Sequence, residues 1–258
     1  MPETEPLLID YHCHLDLYPN FEEQFRNCTV NRIATLAVTT TPLAWPKNKE
    51  LAATSPMVRV GLGIHPHMAG QHPSELVLFE RYLPETRFVG EVGLDAGPAF
   101  YKTYGQQKII FERIVRLCAQ SSGKILSVHA VRAARDVLNL VEAHLAGTSN
   151  RVVLHWFSGS GAEARRAAEL GCYFSVNGAM LLKPTAAALI NAIPRQRLLT
   201  ETDGPFTKTG SRLAEPRDVS QTTEQLAKIL GLDIEITRTM LRKNLASLER
   251  LHSSHAKQ

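Results

Sequence analysis

Residues 124–145 read KILSVHAVRAARDVLNLVEAHL, a short apolar run from Lys124 to His129 followed by a longer amphipathic stretch from Ala133 to Leu145. The first part has strand length and the second has helical spacing, so together they predict one βα unit. The pattern recurs from end to end. Strand-like runs fall near Leu7 to Asp10, Ile33 to Thr39, Val58 to Ile64, Phe88 to Gly93, Val152 to His155, Tyr173 to Val176 and Leu198 to Thr202. Helical spacing is clearest at Ser74 to Leu83, Gln106 to Gln120, Ala162 to Leu170, Thr185 to Ile193, Thr222 to Leu230 and Ile234 to Leu251. Ser160 is placed to cap the helix containing Glu163, and Gly171 to stop it. Eight such units with no break in composition predict an α/β fold, a single closed (β/α)8 TIM barrel spanning residues 1–258 as one domain.

Composition agrees with a globular chain. Of the 258 residues, 44% are hydrophobic and 21% charged, which excludes disorder, collagen and coiled coil. A net charge of +4 favours a polyanionic partner only weakly. No run approaches the ~20 apolar residues of a membrane span, and Met1 to Leu8 lacks the basic and apolar regions of an export signal. A cytoplasmic protein without membrane contact is therefore expected. Cys13, Cys28, Cys118 and Cys172 are too scattered for a zinc ribbon or disulfide framework and are expected to be reduced and buried.

In such barrels the reacting groups stand at the C-terminal ends of the strands. The first strand runs into Asp10-Tyr11-His12-Cys13-His14, where a two-residue spacing puts both histidines on one face, able to grip one metal. Partly exposed loop histidines are the alternative there. The fourth strand ends in Gly90-Glu91-Val92-Gly93-Leu94-Asp95, and a glutamate inside an apolar run needs a cation or a hydrogen-bonded partner. Asp95 is read as a loop acid of lower rank. The fifth and sixth strands each deliver a histidine, His129 and His155, and the eighth leads to Asp203 before Gly204 and Pro205. A lone histidine at such a place is more often structural, and a lone aspartate there caps a turn. Equivalent positions around one barrel mouth change that reading, and the mixed imidazole and carboxylate set suits two divalent ions sharing one carboxylate.

With these residues in place, the chain resembles the TatD family of metal-dependent deoxyribonucleases, within the wider amidohydrolase-type barrels. The motifs are DYHCHLD from Asp10, GIHPH from Gly63, GEVGLD from Gly90, His129, HWFSG from His155 and ETDGP from Glu201. The resemblance implies that His12, His14 and Asp203 serve one metal, that His129 and His155 serve the other, and that Glu91 bridges them. It implies two ions of zinc, magnesium or manganese, with Glu91 and Asp203 as catalytic residues and Asp203 orienting or deprotonating the attacking water. His65 matches a histidine that touches the scissile phosphate. Arg132 is carried over as a phosphate contact from an arginine that this family usually has one position earlier, where Val131 stands here. Trp156 replaces the usual small residue after His155, and the segment from Ala96 to Tyr104 is short.

The Thr39-Thr40-Thr41-Pro42 and His155-Trp156-Phe157-Ser158-Gly159-Ser160 strings, with those departures, resemble the TatD-type subunit of Qat anti-phage defence operons. That narrower resemblance implies an ATPase and a QueC-like protein, similar to deazapurine-synthesis ligases, as partners. The leading reading is a two-metal phosphodiesterase acting on DNA. A small-molecule amidohydrolase or lactonase is the alternative within enzymes, although many such relatives place a carboxylated lysine where this chain has Glu91. A barrel kept as an assembly subunit is the alternative outside enzymes, although none of the six ligand candidates is missing. Arg132, Lys183, Lys208 and Arg212 are expected near the mouth, where they track a phosphate backbone or form ordinary surface. Trp156 and Phe206 are candidates to stack on bases or to pack the rim.

Overall fold

A computed structural model describes residues 5–69 and 74–250. Eight parallel strands alternate with helices in chain order, as the repeated unit predicts. The strands are β1 (Leu8–Cys13), β2 (Ile33–Val38), β3 (Val58–Gly61), β4 (Phe88–Asp95), β5 (Ile125–Val131), β6 (Arg151–His155), β7 (Tyr173–Val176) and β8 (Leu198–Thr200). Between and after them run α1 (Phe21–Val30), α2 (Trp45–Ala52), α3 (Ser74–Tyr82), α4 (Tyr104–Ala119), α5 (Ala134–Leu145), α6 (Gly161–Glu169), α7 (Gly178–Leu181), α8 (Ala186–Asn191), α9 (Val219–Leu230) and α10 (Ile234–Glu249). A short antiparallel hairpin of β9 (Lys208–Thr209) and β10 (Arg212–Leu213), which the sequence reading lacks, follows β8. The predicted end of the last helix at Leu251 lies outside the described residues.

Strand ladders join β1 to β3 in one sheet and β4 to β8 in another. Two further sets of bonds close the ring. Between β3 and β4, the Leu62 N–H donates to the Phe88 carbonyl at 3.0 Å and the Gly90 N–H to the Leu62 carbonyl at 2.9 Å. Between β8 and β1, the Thr200 hydroxyl donates to the Ile9 carbonyl at 2.6 Å and the Asp203 N–H to the His12 carbonyl at 2.9 Å. The strands are buried almost throughout, because a parallel sheet is covered by helices outside and side chains inside. On α5 the buried residues Val137, Leu138, Val141 and Leu145 recur at helical spacing and turn one face to the sheet. Phe174, fully buried beside Phe157, lies on the opposite face of β7 from Ser175 and fills the layer between sheet and helices, and its truncation to alanine would cost about 3–5 kcal/mol.

Local signals hold where chemistry dictates them. The Ser160 hydroxyl accepts the Glu163 N–H at 3.2 Å while Glu163 accepts the Ser160 N–H at 2.8 Å, so α6 starts on a complete capping box. Gly171 follows with a φ of +82°, ending the helix in the conformation that glycine takes without a Cβ clash. Gly93 serves close packing instead, since a Cβ there would sit 2.1 Å from the His129 carbonyl oxygen and glycine lets β4 and β5 approach beside the candidate site. The four cysteines are free and buried. Among the described residues no helix is long and apolar enough to cross a membrane.

Strand boundaries shift in two places that matter. β4 runs on to Asp95, so that residue belongs to the strand and not to a loop. β8 stops at Thr200, which leaves Glu201, Thr202 and Asp203 in an irregular segment held by side chains from other strands.

Candidate metal centre

The six candidate ligands converge at the C-terminal mouth of the barrel. His12 and His14 come from the end of β1, Glu91 from β4, His129 from β5, His155 from β6, and Asp203 from the segment after β8. Glu91 lies at the centre. Its Oε2 is 3.4 Å from His12 Nε2 and 3.2 Å from His14 Nε2, while its Oε1 is 2.7 Å from His129 Nδ1 and 2.8 Å from His155 Nε2. Asp203 Oδ1 approaches both His12 Nε2 and His14 Nε2 at 3.6 Å. Two histidine pairs thus share one carboxylate.

Burial makes this cluster expensive without compensation. Glu91 is 2% exposed and His12 0%. Burial alone would raise the Glu91 carboxyl, but the imidazoles of His65, His155, His12 and His129 around it hold it well below the usual carboxylate range. Asp203 goes the other way: burial pushes its carboxyl up to about 7 against the opposing pull of His155 and His14. His12 Nε2 and both ring nitrogens of His14 are buried without a hydrogen-bond partner. Buried lone pairs aimed at a carboxylate are repelled by it, and a divalent cation between them removes that penalty. His12, His14 and Glu91 form one set of donors within metal reach, and Glu91, His129 and His155 a second. The donor chemistry therefore fits a pair of divalent ions.

Neighbouring groups fix the histidine orientations. His12 Nδ1 meets the Ser127 hydroxyl at 2.8 Å, and His129 Nε2 meets Asp95 Oδ2 at 3.2 Å, leaving the opposite ring nitrogen of each turned to Glu91. Asp95 also holds His67 Nε2 at 2.7 Å and accepts the Gly97 N–H. Burial would raise the Asp95 carboxyl, yet His129 and His67 hold it below the usual range. His65 is distinct from the ligand histidines. Its Nδ1 accepts the His67 N–H at 3.1 Å, so the neutral ring carries its proton on Nε2, 3.2 Å from Glu91 Oε1. Burial pushes His65 down to about 4, which keeps that ring neutral and a donor. For the same reason the group of His65, His67 and His129, close enough to suggest a third metal, is instead a hydrogen-bonded array around Asp95.

The sequence reading assigned no role to His67 or Glu201 and placed Asp95 below Glu91 without its contacts to His129 and His67. Glu201 is fully buried and accepts from the Ser175 hydroxyl, from Asn177 Nδ2 at 3.0 Å and from the Trp156 N–H at 3.0 Å. Its Oε1 lies 3.7 Å from His155 Nδ1. The expected basic rim is corrected in part. Lys183 lines the cleft above the histidines, whereas Arg132 is exposed outside its lining. Arg132 takes a left-handed φ of +52° directly after β5, next to Val131 of the lining and ahead of α5. Arg212 is pinned by both oxygens of Asp218, and Lys208 borders a separate pocket. Trp156 and Phe206 do line the cleft, which has a volume of about 520 Å³.

A parallel barrel whose strand ends gather buried histidines around a shared carboxylate defines the class of metal-dependent hydrolase barrels. The comparisons narrow the class. The family described as TatD related DNase matches residues 9–250, and the chain belongs to that family and is a metal-dependent hydrolase of it. The human deoxyribonuclease TATDN3 is 26% identical over 250 residues, covering 88% of this chain and 89% of that protein. The 3'-5' ssDNA/RNA exonuclease TatD of Edwardsiella piscicida is 31% identical over 202 residues, covering 73% of this chain and 76% of its own length. Among solved structures, the YJJV TatD homologue of Escherichia coli superposes with a TM-score of 0.82 over 93% of this chain and 97% of that chain, at 22% identity.

Proposed function

We propose that the chain hydrolyses phosphodiester bonds of DNA with two divalent ions, zinc, magnesium or manganese. His12, His14 and Asp203 would hold one, His129 and His155 the other, and Glu91 both. The observation that carries this reading is the division of one carboxylate, Oε2 towards His12 and His14 and Oε1 towards His129 and His155. Ions bound there supply an acidified water and neutralise charge on phosphoryl oxygens. Asp203, whose Oδ1 lies 3.6 Å from His12 Nε2 and His14 Nε2, would orient the attacking water and take its proton at Oδ1 or Oδ2. His65 keeps an Nε2–H for a phosphate oxygen, and the Lys183 ammonium at the rim pairs with a neighbouring phosphate. The similarity to a deoxyribonuclease and to an ssDNA/RNA exonuclease supports the same substrate class. DNA digestion after chelation and metal add-back, beside a small carboxylic ester as control, tests it. Cleavage of the ester but not of DNA would favour the small-molecule amidohydrolase reading.

The same reading takes residues 1–258 as one catalytic domain, supported by the single closed ring of strands. It takes the cytoplasm as its compartment, supported by four free thiols. A finer assignment, to Qat anti-phage defence with an ATPase and a QueC-like protein as partners, is supported by the strings at residues 39–42 and 155–160. Co-expression with those products should give a stable complex, and separate elution in every combination would remove the assignment.

A further inference from the structure

Two aromatic side chains line the cleft beside the ligand histidines without being needed to hold them. Phe206 is 61% exposed, and its ring meets His14 edge-on with centroids 5.0 Å apart. It stands on the tight turn after Asp203, where its N–H donates to the Asp203 carbonyl at 2.9 Å. Trp156 follows His155 directly and is half-buried. Its backbone takes a φ of +38°, a region that a bulky residue occupies only at a cost of roughly 1–2 kcal/mol. The surroundings enforce that conformation: the Trp156 N–H is held at 3.0 Å by Glu201, which is itself locked by Ser175 and Asn177. The turn held in this way keeps Trp156 beside His155 at the lining of the cleft. Phe206 thus borders His14 of one histidine pair, and Trp156, next in sequence to His155 of the other and partly packed on the core, lines the same cleft as Lys183.

We propose that Trp156 and Phe206 are specificity-determining residues that stack an unpaired nucleobase next to the scissile phosphate. The proposal rests on the phosphodiesterase reading of the same cleft. Every base has a π face, so the contact selects nucleic acid with accessible bases over duplex while remaining tolerant of sequence. Lys183 takes the flanking phosphate, which gives the strand a polar track along the apolar walls.

The test uses metal-loaded protein and a phosphorothioate-linked oligothymidylate, which resists cleavage, beside an oligomer of the same length and linkage without bases. Of the two tryptophans, Trp45 is buried in the core, so a change in indole emission on binding reports Trp156. The thymidylate should quench emission and bind about tenfold more tightly than the abasic oligomer. Trp156→Leu, which keeps apolar bulk and removes the π face, and Phe206→Ala, at an exposed position, should each lose about tenfold for thymidylate and nothing for the abasic oligomer. Trp156→Phe should recover part of that loss. Equal affinity for the two oligomers, or unchanged thymidylate affinity in Phe206→Ala, overturns the proposal even if Trp156→Leu fails to fold. Quenching and base-dependent binding without any DNA cleavage would defeat the phosphodiesterase reading and leave the stacking intact. Cleavage with unchanged KM in the variants would do the reverse.

Discussion

The carboxylate of Asp10 accepts the backbone N–H of Thr202 at 2.7 Å and its hydroxyl at 2.6 Å, tying β1 to the segment after β8. Both residues are buried, and β1 and β8 share no strand ladder among the described residues. Side-chain bonds therefore carry much of this closure, between His12 on β1 and Asp203 in the segment after β8. Asp10→Ala leaves two buried donors without an acceptor and should lower stability by roughly 2–4 kcal/mol. Denaturant midpoints measure it, and a variant as stable as the parent would mean that the seam is held by its backbone bonds alone.

Glu91→Gln should have a wider effect than the loss of any one histidine. The substitution removes the charge facing both histidine pairs, so elemental analysis should find neither ion retained, whereas His129→Ala should still hold the ion beside His12 and His14. DNA cleavage should fall on the order of 100-fold or more in both, with little change in the fold. Equal metal content in the parent and Glu91→Gln would remove the shared-carboxylate reading.

Much of this site was legible because a charged or imidazole side chain after an apolar run is conspicuous, and the barrel places every such run at one mouth. The alternation that paired His12 with His14 also puts Glu91 and Asp95, four residues apart, on one side of β4, but the glycine at 93 between them hid how far that strand runs. Glu201 could not be read in advance, since its partners Trp156, Ser175 and Asn177 come from other elements. The left-handed turn at Arg132 after β5 could not be read in advance either, since arginine is not a residue that favours a positive φ. The hairpin of β9 and β10 has two residues per strand, too few to show an alternation.

Asp95→Asn tests the array that the sequence undervalued. His129 Nε2 and His67 Nε2 both rely on Asp95 Oδ2, so the amide weakens the grip that keeps His129 Nδ1 turned to Glu91. Metal affinity at that position should fall about 10- to 100-fold while the ion beside His12 and His14 is retained. His67→Ala leaves the contact between Asp95 and His129 in place and should lose less. Competition with a chelator separates the two cases, and equal losses would show that His67 and not Asp95 sets the orientation.

Asp203 gives the metal-free protein a pH-dependent stability. Burial raises its carboxyl to about 7 in the fold, against about 3.9 in an unfolded chain, so the folded state holds the proton more tightly. Its favourable contribution is complete below about pH 4 and is lost as pH rises through about 7. In chelator, Asp203→Asn, which cannot acquire that buried charge, should melt above the parent at about pH 8, and the gap should close towards about pH 5. Divalent ions should reverse the order at about pH 8, because they bind the folded parent through Asp203 and stabilise it by mass action. A gap that is unchanged between the two pH values would show that the Asp203 proton is not its source. A gap that metal does not reverse would show that Asp203 contributes little to binding the ion.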